Sequence, residues 1–354
     1  MTPLENLAIV KPLLAWYDGN RRILPWREEP TSYRVWISEI MLQQTRVEAV
    51  RPYFDRFLEV LPGVAELDAA PEQLVLKLWE GLGYYSRARN LKKAAHVIVE
   101  RFGGKFPQNI GDVLSLPGIG EYTAGAILSI AFGQQVPAVD GNVLRVVSRL
   151  LASRENVMDA KVRKQMTQMV RDILPKERVG DFNQALMELG AMICLPNGEP
   201  KCGVCPLQQR CIGKQQGIAQ QLPVKPEKKQ RKKEKRTVFV MACGDKVLLH
   251  KRPTRGLLAG LWEFPAMDGY LGLEQVRQYW KAHGVRIKTI ENLGRQKHVF
   301  THIEWMMEGY LCETPFFEPP EECIWAGQDE ISHSYSVPSA MSYYLEKWKC
   351  YVNR

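Results

Sequence analysis

The sequence predicts two domains of different class, an all-helical domain followed by an α/β domain. Three observations carry this expectation. Residues 1–213 show helical periodicity almost throughout, broken at short intervals by Pro62-Gly63, Gly81, Gly103-Gly104, Pro117, Gly133 and Pro175, and no alternating strand pattern competes. A proline-bearing basic run, Lys225 to Arg236, has no apolar face and reads as a solvated tether or as a strap along a nucleic-acid backbone. Beyond it the residues alternate as strands do. The expected organisation is a helical domain over 1–213, a linker over 214–236 and an α/β domain over 237–354.

Within the first domain, Val35-Trp36-Ile37-Ser38-Glu39-Ile40-Met41-Leu42 is an apolar helical segment that carries one acid. Thr45-Arg46-Val47-Glu48 has capping-box spacing, which places Gln43 and Gln44 in the junction before a helix. A helix–hairpin–helix is expected over about 109–132, centred on Leu116-Pro117-Gly118-Ile119-Gly120-Glu121-Tyr122-Thr123-Ala124. Gly118 and Gly120 have no Cβ, so a phosphate can approach the backbone N–H groups of the turn and the N-terminus of the following helix. An ordinary helix–turn–helix corner would also use a glycine here. Twenty residues on, Asp140 lies in Val139-Asp140-Gly141-Asn142-Val143, where it could be a plain helix N-cap or a functional carboxylate.

In the second domain, Thr237–Cys243, a Gly244-Asp245 turn and Lys246–His250 form an expected hairpin, followed by Leu261-Trp262-Glu263-Phe264-Pro265. A helix around Leu273–His283 and strands near His298–Cys312 complete the α/β unit.

Composition narrows the function classes. A chain of 354 residues with 45% hydrophobic residues can bury two cores, and its formal net charge of +9 favours a polyanionic partner. No stretch of about 18 apolar residues and no basic-then-apolar N-terminal pattern is present, so a cytoplasmic protein without membrane contact is expected. Four of the eight cysteines, Cys194, Cys202, Cys205 and Cys211, follow C-x7-C-x2-C-x5-C. That cluster reads as a metal site, and its spacing suits zinc or an iron–sulfur centre equally. Lys201, Arg210 and Lys214 make its loops basic, which favours a phosphate-facing role, with a purely structural clamp as the alternative.

The ordered motifs resemble the MutY family of adenine DNA glycosylases, within the helix–hairpin–helix group that also contains endonuclease III. They are Pro25-Trp26-Arg27, Ser38-Glu39-Ile40-Met41-Leu42-Gln43-Gln44-Thr45, Gly81 to Asn90, the hairpin, the Val-Asp-Gly-Asn segment, the cysteine cluster, Leu261 to Pro265 and Phe300-Thr301-His302. The resemblance implies a monomeric, bacterial, nucleoid-associated hydrolase of N-glycosyl bonds. Its substrate would be adenine mispaired with 8-oxoguanine or guanine in double-stranded DNA. It also implies a [4Fe-4S] cluster on the four cysteines, and a Nudix-like second domain that reads the lesion. That domain lacks the clustered acids that would hold Mg²⁺ for pyrophosphate hydrolysis. Tyr122 stands where the lyase branch carries a Schiff-base lysine, so efficient strand cleavage is not expected. A lyase acting on oxidised pyrimidines, a pyrophosphohydrolase and a non-enzymatic lesion binder are the competing readings.

Cleaving an N-glycosidic bond needs a proton for the departing purine and a carboxylate beside the cationic sugar. By resemblance, Glu39 is the acid and Asp140 stabilises, or transiently bonds to, the sugar cation. Burial of Glu39 would keep it protonated, while backbone donors at a helix N-terminus would favour the anion of Asp140. Tyr122 and Asn142 are expected to support them. Because the base must leave the duplex, Gln44, followed by Thr45, is matched to the intercalating wedge, and Tyr84 to a residue stacked beside the lesion. Trp26, Arg27 and Gln184 are matched to the adenine pocket, Leu116, Gly118 and Gly120 to the DNA-binding hairpin, and Phe300, Thr301 and His302 to 8-oxoguanine contacts. Two departures stand out: the first cysteine interval has one residue more than the commoner family spacing, and Thr301 replaces a frequent serine.

Overall fold

The computed structural model describes residues 2–226 and 230–353. By compactness the chain forms two units, Met1–Ala69 with Asn90–Glu227, and Ala70–Arg89 with Lys228–Arg354. Segment 70–89, expected inside the helical domain, therefore packs with the second unit.

The first unit is helical, as its periodicity predicts. Helices Val10–Asn20, Gly141–Leu150, Ala160–Asp172 and Val179–Met192 share one core built from Leu13, Tyr17, Val143, Val147, Val170, Phe182 and Leu186. Eight consecutive residues, Val143 to Leu150, are buried, among them Arg145 and Arg149. Buried guanidiniums need acceptors, and here backbone carbonyls supply them: Arg145 donates to Cys194 O and Gly190 O, and Arg149 donates to Leu222 O and Leu195 O.

Glycines set how closely the segment before the Gly141–Leu150 helix is gripped. A Cβ on Gly125 would lie 2.0 Å from Pro137 O, and one on Gly190 would lie 2.6 Å from Asn142 Cβ. Helix Glu121–Phe132 and helix Val179–Met192 can thus approach residues 137–142 at backbone distance. Gly118, at φ +78°, is required twice over, because a Cβ there would also meet Asn90 Cβ at 2.7 Å. Gly120 is different. It caps the Glu121–Phe132 helix in an extended conformation, and the space where its Cβ would lie is open. The fold itself makes no demand for glycine there.

Two local expectations are corrected. The capping box at Thr45 does not form: the helix is Val47–Val60, its N-cap is Arg46 without a side-chain cap, and Thr45 Oγ1 turns to Gln43 O at 3.4 Å. Glu48 faces Arg22 at 3.8 Å, an ionic partner that competes with the cap. The basic tether is also shorter than 214–236. Helix Ile212–Gln215, the buried Ala219 and Leu222, and an Asn156–Val224 bridge fix its beginning. Strand β1 (Lys232–Cys243) takes its end, because residues 232–236 satisfy their backbone groups against the sheet despite their charges. Residues 227–229 of the tether lie outside the described residues.

The second unit is the expected α/β domain. Besides β1 it contains β2 (Lys246–Lys251), β3 (Trp262–Glu263), β4 (Ala266–Asp268), β5 (Thr289–Val299), β6 (Ile303–Glu313) and β7 (Cys323–Ala326). The order is β3-β2-β1-β6-β5, with β4 beside β1 and β7 beside β2. Central β1 and β6 run parallel, with Val240 opposite Leu311, and the remaining pairs are antiparallel. Alternation along β1 feeds two cores. Val238 and Val240 pack with Tyr344 and Trp348 of helix Ser342–Val352, while Phe239 and Met241 pack with Val276 and Trp280 of helix Leu273–Ala282. Segment 70–89 joins this unit through polar ties: Lys77 Nζ donates to Ile331 O at 2.9 Å, and Val337 N–H donates to Glu80 Oε1 at 2.7 Å.

Candidate active site

A cleft of about 1270 Å³ in the helical unit brings together Trp26, Arg27, Glu39, Gln44, Thr45, Tyr122, Asp140, Asn142 and Gln184. These nine come from five places in the sequence. Helix Ser32–Leu42, capped by Thr31 accepting from Arg34 N–H, buries almost every residue it has and presents Glu39 at the cleft with only 6% exposure. Across from it, the Glu121–Phe132 helix supplies Tyr122, whose hydroxyl donates to Glu39 Oε2 and also meets Met187 Sδ at 3.3 Å.

Asp140 caps the Gly141–Leu150 helix, and the same carboxylate faces the cleft. Its Oδ1 accepts from Val143 N–H at 2.8 Å and its Oδ2 accepts from Asn142 Nδ2 at 2.6 Å. Asn142 is itself oriented by Arg145 Nη2, which donates to its Oδ1 at 2.8 Å. Arg145 then ties to Cys194 O at 2.7 Å, so one hydrogen-bonded chain joins Asp140 to the first cysteine of the cluster.

The two carboxyls are set apart electrostatically. Burial pushes Glu39 up to about 7; the Tyr122 hydroxyl opposes the rise, the Asp140 charge adds to it, and Arg27 opposes it. This matches the sequence expectation of a retained proton. For Asp140 that expectation needs correction. Its donors do favour the anion, as does Arg145, but burial outweighs them and the net direction is upward. Asp140 still has the larger donor set, with Val143 N–H, Asn142 and Arg145 all favouring its anion. Burial and the Glu39 charge hold the Tyr122 phenol well above its usual range, keeping it a donor.

Gln44 adopts a left-handed backbone at φ +59°, an uncommon state for a non-glycine residue that matters where a side chain must be aimed out of the chain's path. Leu116, Gly118 and Gly120 lie in the hairpin rather than in the cleft wall. Phe300, Thr301 and His302 form the β5–β6 turn, with Thr301 and His302 exposed and Phe300 set edge-on to Trp305 at 4.9 Å. Within the same unit, Tyr84, left-handed at φ +47°, has its hydroxyl 3.0 Å from Thr301 Oγ1, so two residues matched to the lesion from distant motifs are neighbours.

Cys194, Cys202, Cys205 and Cys211 line a second, apolar-walled cavity and form no disulfide. Burial and the other thiols' charges raise Cys202 and Cys211 and push Cys205 up to about 11. Thiolates gathered on one cavity repel one another unless a cationic centre holds them, and this four-cysteine donor set fits a metal cluster. Among the described residues no group of three or more Cys, His, Asp or Glu side chains is placed to hold a metal ion. Arg149 Nη1 donates to Cys194 Sγ at 3.2 Å. The first interval contains the exposed loop 196–199, where Gly198 is left-handed.

Sequence reasoning missed Arg22, Arg145, Met187, Glu188 and Gly190. Each makes contacts distant in sequence, Arg145 in addition to its i−3 bond to Asn142, and none carries a local signal beyond its residue type.

Comparison with known proteins defines the class first. The profile of HhH-GPD superfamily base excision DNA repair proteins matches residues 37–172, and that of the NUDIX domain matches 237–347. Among solved structures, the chain is similar to a thermostable thymine-DNA glycosylase (30% identity, TM-score 0.55, 59% of this chain and 96% of that one). It shares a fold with endonuclease III in a non-covalent DNA complex (23% identity, TM-score 0.53, 62% of this chain and 99% of that one). Adenine DNA glycosylases align over far more of it. That of Homo sapiens is 34% identical over 95% of this chain and 73% of its own, and that of Buchnera aphidicola (subsp. Acyrthosiphon pisum) is 34% identical over 95% and 96%. The chain belongs to the adenine DNA glycosylase family of base excision repair enzymes.

Proposed function

We propose that this protein is a monofunctional, monomeric adenine DNA glycosylase that flips adenine out of A:8-oxoguanine or A:G mispairs and hydrolyses its N-glycosidic bond. The observation that carries this reading is the pair of buried carboxyls in one cleft, one holding its proton and the other ringed by donors. Glu39 gives its proton to a ring nitrogen of adenine, the base leaves neutral with the bonding electrons, and positive charge develops at C1′. The Asp140 carboxylate stabilises that charge or bonds to C1′ transiently, and water then supplies the hydroxyl of the abasic product. Tyr122 and Asn142 hold the two acids in register.

Trp26, Arg27 and Gln184 form the base pocket, Gln44 and Thr45 fill and flank the vacated stack, and the Leu116–Gly120 hairpin takes phosphate on its open N–H groups. The open space beside Gly120 supports that last role, since the fold leaves it unfilled. Tyr84, Phe300, Thr301 and His302 read 8-oxoguanine. Cys194, Cys202, Cys205 and Cys211 would hold a [4Fe-4S] cluster, which supplies a cationic centre that shapes a basic loop. Visible absorbance that bleaches with loss of iron supports the cluster; colourless, zinc-bearing protein overturns it. Among the described residues no helix is long and apolar enough to cross a membrane, and the proposed site of action is the bacterial cytoplasm, on the nucleoid.

The test is a duplex with adenine opposite 8-oxoguanine, scored for free adenine and for strand breaks before and after alkali. Adenine release with breaks appearing mainly after alkali is expected. Binding without release, or breaks without alkali through a borohydride-trappable lysine adduct, overturns the reading.

A further inference from the structure

Glu188 sits on helix Val179–Met192 one turn from Gln184, and both line the cleft. Its side chain is 1% exposed and accepts four hydrogen bonds. Arg22 gives it a backbone N–H at 3.2 Å, Nε at 2.7 Å and Nη2 at 3.0 Å, and Arg27 gives it Nη2 at 2.8 Å. Arg27 is further pinned by Nη1 donating to Arg22 O at 3.2 Å. The carboxylate is held at about 2, so it is charged at every working pH.

A lone helix glutamate of this kind could be plain internal bracing. Two features separate it from bracing. Its partners are cleft-lining side chains rather than core residues, and one of them, Arg27, is the cation that acts on Glu39. A guanidinium in a cleft with two other carboxyls would turn toward whichever is nearest and least paired. Glu188 takes the Nη2 arm of Arg27 and Arg22 O takes the Nη1 arm, so the fork is not free to do so.

We propose that Glu188 is the positioning residue of the base pocket: it fixes the Arg27 guanidinium against the wall and holds that charge off Glu39. The inference rests on the reading of Glu39 as proton donor. The groups facing Glu39 are Tyr122, Asp140 and Arg27; those facing Glu188 and its arginines are Tyr17 and Glu48. Of these, only Arg27 is shared between the two carboxyls. A pinned guanidinium also presents donors alone to the base, which suits the ring-nitrogen acceptors of adenine and opposes the ring N–H of guanine or hypoxanthine.

The test uses full-length Glu188→Gln and Glu188→Asp. Infrared difference spectra of the carboxyl stretch, with Glu39→Gln as the reference that removes the band, read the protonation of Glu39 in DNA-free protein, independently of catalysis. Gln retains the acceptor but not the charge, so Glu39 should lose its proton at least threefold more readily, and the fall in single-turnover adenine release should be larger at pH 8 than at pH 6. Asp, which keeps the charge, should recover most of the wild-type titration. An unmoved Glu39 band in Glu188→Gln, or a rate loss equal at both pH values, overturns the inference. Absence of adenine release by the wild type fails the proposed function instead, and leaves the infrared result to stand by itself. Should Glu188→Gln fail to fold, Arg27→Gln provides the second arm: removing the shared cation must make Glu39 hold its proton more tightly, and a band that does not move, or moves down, again overturns it.

Discussion

Replacing Tyr122 by Phe should move the alkaline limb of the pH–rate profile upward, although the tyrosine looks like a helper of the acid. Glu39 lies at about 7 with the Tyr122 hydroxyl as the largest influence pulling it down, because that hydroxyl donates to the carboxylate and stabilises the anion. A hydrogen bond to a charged group contributes about 1.5–3 kcal/mol. At about 1.4 kcal/mol per pH unit, its loss moves the limb up by about one to two units, from about 7 toward 8 or 9. Single-turnover adenine release from a lesion duplex, followed between pH 5.5 and 9.5, measures this directly. The limb position is the readout rather than the maximum rate, since Tyr122 also contacts Met187 and removing its hydroxyl will lower the plateau. A limb that stays near 7 would show that Glu39 is not the group titrating, and one that falls would show that Tyr122 stabilises the protonated form.

Other outcomes follow from the same geometry. Glu39→Gln should stabilise the protein at pH 8 by about 3 kcal/mol, because a carboxyl raised from 4.5 to about 7 on folding opposes folding once the unfolded chain can ionise; the gain should vanish below about pH 4.5, where both states are protonated, and urea unfolding at the two pH values checks it. Gly190→Ala, whose Cβ would lie 2.6 Å from Asn142 Cβ, should cost about 1–3 kcal/mol and depress adenine release by displacing the Asp140 segment; a variant that melts normally with full activity contradicts the packing argument. Gly120→Ala should fold normally, since open space and an extended backbone await its Cβ, yet weaken DNA binding in fluorescence anisotropy. Gly118→Ala should lose both stability and binding, because its φ is +78° and its Cβ would meet Asn90.

What the sequence disclosed was local. The Gly118 turn, the Asp140 cap, the apolar helix around Glu39 and the alternation of β1 each follow from residues within a few positions of one another, and each took the form expected. Burial is a long-range quantity and misled the reading of Asp140, whose donors were legible while the desolvation that outweighs them was not. The capping box at Thr45 failed for a similar reason, since Arg22, distant in sequence, offers Glu48 another partner. Glu188 and Arg145 are ordinary helical residues until the fold places Arg27 beside one and the Gly190 and Cys194 carbonyls beside the other. Segment 70–89 shows helical punctuation and nothing that would assign it to the strand-rich unit; long-range ties such as those to Thr301, Ile331 and Val337 do so.

The division of labour between the two acids is tested most directly by a crystal structure of Asp140→Asn bound to a duplex with adenine opposite 8-oxoguanine. The account predicts an extruded adenosine in the cleft, with a ring nitrogen of its base within hydrogen-bond reach of Glu39 and its C1′ facing the side chain at 140. An extruded nucleotide lodged away from both residues, or with the sugar toward Glu39 and the base toward 140, would contradict it.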